Sequence, residues 1–90
     1  MENVTLGNDN TSDIVVMNAR VDINGVCGFI NVDTATANYY AGLEAGGFIT
    51  LNPGSMVYVT DGDGGSPCMS FYDGTNWKKM HSPADNISAT

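Results

Sequence analysis

"MVYVTDGDGGSPCMSFYDGTNWKKM", Met56 to Met80, decides the fold class. The stretch reads as three short strands, MVYVT (56–60), CMSFY (68–72) and WKKM (77–80). A wide Gly-rich loop, DGDGGSP, joins the first two, and a tight turn, DGTN, joins the last two. Side chains alternate across a strand, so Met56 and Tyr58 fall on one face and Val57 and Val59 on the other. In CMSFY, Met69 and Phe71 oppose Cys68 and Tyr72 in the same way. A half-exposed antiparallel sheet carries one polar face, and these strands do not. The pattern predicts burial on both sides, one of them against another subunit.

Upstream, DIVVMNARVDI (13–23) is dense in β-branched residues and lacks helical spacing, so it reads as a strand. Its face of Val15, Met17, Ala19 and Val21 is wholly apolar and should point inward, with Ile14, Val16, Asn18 and Arg20 opposite. Asn24–Gly25 is the strongest short hairpin signal, and VCGFINV (26–32) follows as the returning strand. VTLG (4–7) reads as a short strand before a loop of turn formers. DTATANYYAGLEAGG (33–47) is ambiguous: Thr34 or Thr36 could cap a helix through Leu43 that ends at the glycines, but the reading favours a loop or one helical turn. FITL (48–51) follows, NPGS (52–55) reads as a turn, and HSPADNISAT (81–90) as an extended polar tail.

Composition supports turn-dense β structure over helix. The chain has 90 residues, only 14% of them charged, and 11 glycines. A monomer of this length buries roughly 60–65% of its unfolded surface, so its core is marginal. Three basic residues face ten acids, for a net charge of −7. That balance argues against nucleic acid or an anionic membrane as partner, because both are bound through basic patches. The N-terminal MENVTLGNDN has neither a basic start nor an apolar core, so no secretory signal is expected and synthesis is placed in a cytoplasm. Cys27 and Cys68 then read as reduced, buried small hydrophobes.

Reactive constellations are sparse. Asp61 and Asp63 in DGDGG sit at a spacing that can bind calcium, but an EF-hand loop needs more oxygen ligands and a terminal Glu. The bland reading is a flexible loop. His81 has no nucleophile partner with the required turn geometry. The only glutamates, Glu2 and Glu44, make no defined pair with the turn-bound aspartates. No catalytic residue, metal or cofactor is assigned, and the chain is expected not to be an enzyme. Trp77 reads as a core residue over the hairpin, with a sugar-stacking platform as the alternative. Tyr39 and Tyr40 are candidate contact residues.

Two stretches resemble bacteriophage virion proteins. VTLGNDNTSDIVVMNARV (4–21) is similar to a repeat of tail fibres and other virion appendages: a Leu-Gly, a polar loop with Asp, alternating β residues, then Arg or Asn and Val. GSMVYVTDGDGGSPCMSFYDGTNWKKM (54–80) resembles the closing segment of many phage structural proteins, with its DGTxW hairpin and following basic residue. Each unit occurs once here, whereas long fibres repeat them. The resemblance implies a virion structural protein, and a small single-unit chain resembles a capsid decoration (cement) protein more than a complete adhesin. Such proteins are frequently trimers.

The expected fold is therefore all-β: a small antiparallel sandwich or open barrel over residues 13–81, with an extended N-terminal segment (1–12) and a polar tail (82–90). The expected function is a non-enzymatic capsid decoration protein on the virion exterior, a homotrimer contacting the major capsid protein or another virion protein. Its interface is expected to draw on Val15, Met17, Val57, Val59, Phe71 and Trp77, with Tyr39 and Tyr40. The alternative is a tail-fibre or head-fibre tip, where Tyr39, Tyr40 and Trp77 would meet a host receptor or glycan.

Overall fold

The computed structural model describes residues 2–9, 12–26 and 30–90. The ordered elements are β1 (Asn31–Val32), α1 (Thr34–Ala45), β2 (Met56–Asp63), β3 (Ser66–Tyr72), β4 (Trp77–Lys79) and β5 (Ser82–Asn86). Among the described residues they form one five-stranded sheet in sequence order with one helix. The chain is mostly β, but the sheet is mixed: β1 runs parallel to β2, and the remaining pairs are antiparallel.

The strands of the opening stretch form where they are expected, in register Val57↔Ser70 and Val59↔Cys68. The wide loop is tighter than its composition suggests. β2 runs on to Asp63 and pairs with Ser66, leaving Gly64 and Gly65 as a two-residue turn with φ of 61° and 97°. Two positive φ angles are what a hairpin turn matched to strand twist demands, and glycine adopts them without strain.

The 13–32 hairpin does not form among the described residues. Neither Asn24 nor Gly25 has the positive φ that the turn requires. Residues 4–7, 12–26 and 48–51 carry no strand. Only Asn31–Val32 joins the sheet, and its partners are Tyr58 and Val59 of β2. A two-stranded ribbon is marginal in water unless its apolar face packs on something, and the core includes no residue of 13–26. Cys27, Gly28 and Phe29, and with them the thiol state of Cys27, lie outside the described residues.

The ambiguous segment is a 12-residue helix rather than a loop. Asp33, not a threonine, caps it by accepting the Thr36 N–H at 2.7 Å. At the other end Gly47 takes φ 77°, Phe48 N–H donates to Leu43 O, and Gly47 N–H donates to Glu44 O. This is a Schellman closure, which satisfies the last carbonyls. Four alanines in twelve residues supply the helix propensity that the threonines and tyrosines lack.

α1 covers one face of the sheet. Ala37, Val57, Val59, Cys68, Tyr72, Trp77 and Ile87 form the core, with Val32, Ala41 and Leu51 packed against it. Trp77 donates its indole N–H to Ala37 O at 2.7 Å and tilts against Tyr72 at 5.4 Å, so its polar atom is satisfied where it is buried. The tail is structural: residues 82–86 are β5, and Ile87 is buried. Ser88 N–H donates to Gly62 O while Gly64 N–H donates to Ser88 O, which ties the C-terminus back to the far end of β2.

Candidate assembly surface

Residues 2–26 contribute little to the core and carry most of the exposed apolar surface. Asp13 anchors a knot near the start of this arm. Its carboxylate accepts the Asn8 and Asp9 N–H groups at 2.7 and 3.1 Å, and its own N–H donates to Asp9 O. Gly7, at φ 79°, makes the turn possible. Beyond the knot the chain carries Ile14, Val15, Val16, Met17, Val21, Ile23 and Val26, all more than half exposed. With Val4 and Leu6 that makes nine large apolar side chains open to water in the arm. Isolated exposed hydrophobics are ordinary, whereas a contiguous run of this kind marks a contact surface.

The magnitude is informative. A compact monomer of 9.5 kDa exposes about 5,000 Å² by mass scaling. This chain exposes 6594 Å², an excess of about 1,500 Å² over that scaling. Its radius of gyration is 14.2 Å, against about 12 Å for a compact chain of this length.

Beside the arm lies a groove of about 1120 Å³ between α1, the 47–51 segment and the start of β2. Ala37, Tyr40, Phe48 and Ile49 contribute to its walls, and Ser12–Ile14 of the arm line it as well. Phe48 is 78% exposed there. On the sheet face away from α1, Met56 pairs across from Phe71 and Tyr58 from Met69. Met56 is exposed and the other three are half-buried. This second face is apolar, as the strand pattern indicates, and no helix covers it.

The polar groups nearby are committed to structure. Asp61 accepts both the backbone N–H and the hydroxyl of Thr34, at 2.7 and 2.8 Å, and so fastens the start of α1 to β2. Asp63 takes Lys79 Nζ at 3.0 Å on one oxygen and His81 Nε2 at 3.4 Å on the other. The hydrogen bond from Lys79 holds the Asp63 carboxyl below its usual range, and the same bond raises the Lys79 ammonium. The calcium reading of DGDGG thus meets two carboxylates that serve different donors. Among the described residues no group of three or more His, Cys, Asp or Glu is placed to hold a metal ion.

The expected interface residues separate into two sets. Val57, Val59 and Trp77 lie in the chain's own core, beneath α1. Trp77 is 3% exposed, which removes it as a sugar-stacking platform. Val15, Met17 and Tyr39 are exposed, and Phe71 and Tyr40 are half-buried. Tyr39 and Tyr40 meet edge to face at 5.9 Å on α1, with Tyr40 turned to the groove. Sequence reasoning missed Met56, Tyr58 and Phe48. Alternation placed Met56 and Tyr58 together, but only the helix, read as a loop, tells which face of β2 stays uncovered.

Compared with known protein families, curated proteins and solved structures, the chain shows no significant match. No helix among the described residues is long and apolar enough to cross a membrane.

Proposed function

We propose that this chain is a non-enzymatic structural subunit of a bacteriophage particle, a decoration protein that binds the outer surface of the capsid. The nine exposed large apolar side chains of the arm carry the reading. A standard interface buries about 800 Å² per partner, so a total exposure about 1,500 Å² above the compact scaling leaves room for two such contacts per chain. A ring in which each protomer touches two neighbours uses that area fully, and a homotrimer is the smallest such ring. In this reading the arm and outer sheet face serve assembly. The virion assignment draws on the similarity of 4–21 and 54–80 to phage appendage and closing segments.

A decoration protein needs contacts rather than a reaction centre. Binding only to the mature shell stabilises that shell by mass action. Three linked copies engage at once and raise the effective affinity without new chemistry. The test is the copy number of the chain on purified particles: saturation at a fixed ratio to the major capsid protein is expected. Binding to host cells and not to particles would instead establish a fibre tip, for which the exposed Tyr39 on α1 is the supporting feature.

A further inference from the structure

We propose that the groove between α1 and the 47–51 segment receives the arm of a second copy of this chain, seated through Val15, Met17, Ala19, Val21 and Ile23. The inference rests on the subunit reading above and specifies which surfaces meet.

In an extended arm these five residues share one face, and that face is wholly apolar. The opposite face carries Ile14, Val16, Asn18, Arg20 and Asp22, and burying the last three in an apolar groove would cost hydrogen bonds to water. The wholly apolar face therefore enters the groove, and the mixed face stays toward solvent. The chain's own arm meets this site only at its base. Its knot at Asp13 holds Ser12–Ile14 as part of the lining, while Val15, Met17, Val21 and Ile23 remain more than half exposed. A segment that leaves an apolar groove with its own apolar face uncovered is the geometry of exchange between identical copies. The total exposure, about 1,500 Å² above the compact scaling, leaves room for a stable contact of roughly 800 Å² per partner.

Complementation tests this directly. Full-length chains carrying V15D and M17D together have a damaged arm and an intact groove; chains carrying Phe48→Asp have the reverse. All three positions are exposed and outside the core, so circular dichroism should match the unaltered chain. Light scattering should show an oligomer for the unaltered chain and 9.5 kDa for each variant alone. An equimolar mixture should give a one-to-one heterodimer, because one sound arm and one sound groove remain. Should a variant misfold, Val15→Cys and Phe48→Cys on separate chains, both with Cys27→Ser, replace it, and a disulfide-linked heterodimer is expected. Variants that keep the unaltered mass, a mixture that stays monomeric, or no cross-link would each overturn the exchange. The copy number of the unaltered chain on particles tests the subunit reading separately.

Discussion

Asp61 accepts two hydrogen bonds from Thr34, joining the first turn of α1 to a strand 27 residues away in sequence. A carboxylate at a helix N-terminus also meets the favourable end of the helix dipole. Asp61→Ala should cost about 2 kcal/mol, read from urea denaturation, because it orphans a part-buried donor pair. Gly62 next to it has no room for a side chain. A Cβ there would sit 2.9 Å from both Cys68 Sγ and Val59 Cγ1, and Val59 is fully buried. Gly62→Ala should therefore destabilise by about 1–3 kcal/mol in the same measurement. In sequence, DGDGG is legible as turn chemistry. Its division of labour is not, because Thr34, Lys79 and Ser88 reach it only through the tertiary fold.

At the scale of elements, the local patterns of 56–80 agree with their environment, and the strands appear where alternation and turn residues place them. The 13–26 segment has an equally good strand pattern but pairs with no strand of the sheet, so pattern alone does not order it. The reverse holds for α1. Tandem tyrosines and threonines hide a helix that is fixed by the Asp33 cap, the Gly46–Gly47 closure and docking of Ala37 over Trp77. The polar tail HSPADNISAT becomes β5 because β4 presents an unpaired edge, and Pro83 and Asp85 protect the new edge from further pairing. Hydrogen bonds to three carboxylates set the response to acid. Asp33, Asp63 and Asp73 all sit below the usual 3.8, held there by Thr36, by Lys79, and by the Asn76 and Thr75 N–H groups respectively. The unfolded chain binds those protons first, so their stabilisation is complete above 3.8 and is lost as pH falls through the lower native values. Melting temperature should drop between about pH 5 and pH 2, and Asp63→Asn should flatten that slope. Lys79, raised above 10.5, contributes fully below that pH and loses its contribution as pH rises through its native value.

At the scale of the whole chain, the core among the described residues draws on residues 32–87. Removing residues 1–26 should leave a folded sheet and helix, with a melting temperature within a few degrees of the full chain, while abolishing self-association. The sequence expectation is of surfaces too apolar for a lone small domain. The structure relocates them: Val57, Val59 and Trp77 are consumed inside the chain, and the arm, the groove and the outer sheet face remain. Light scattering of the full chain over a dilution series into the micromolar range is the most direct test of this account. It predicts a trimer that persists on dilution; a single species of 9.5 kDa, stable and soluble at every concentration, would contradict it.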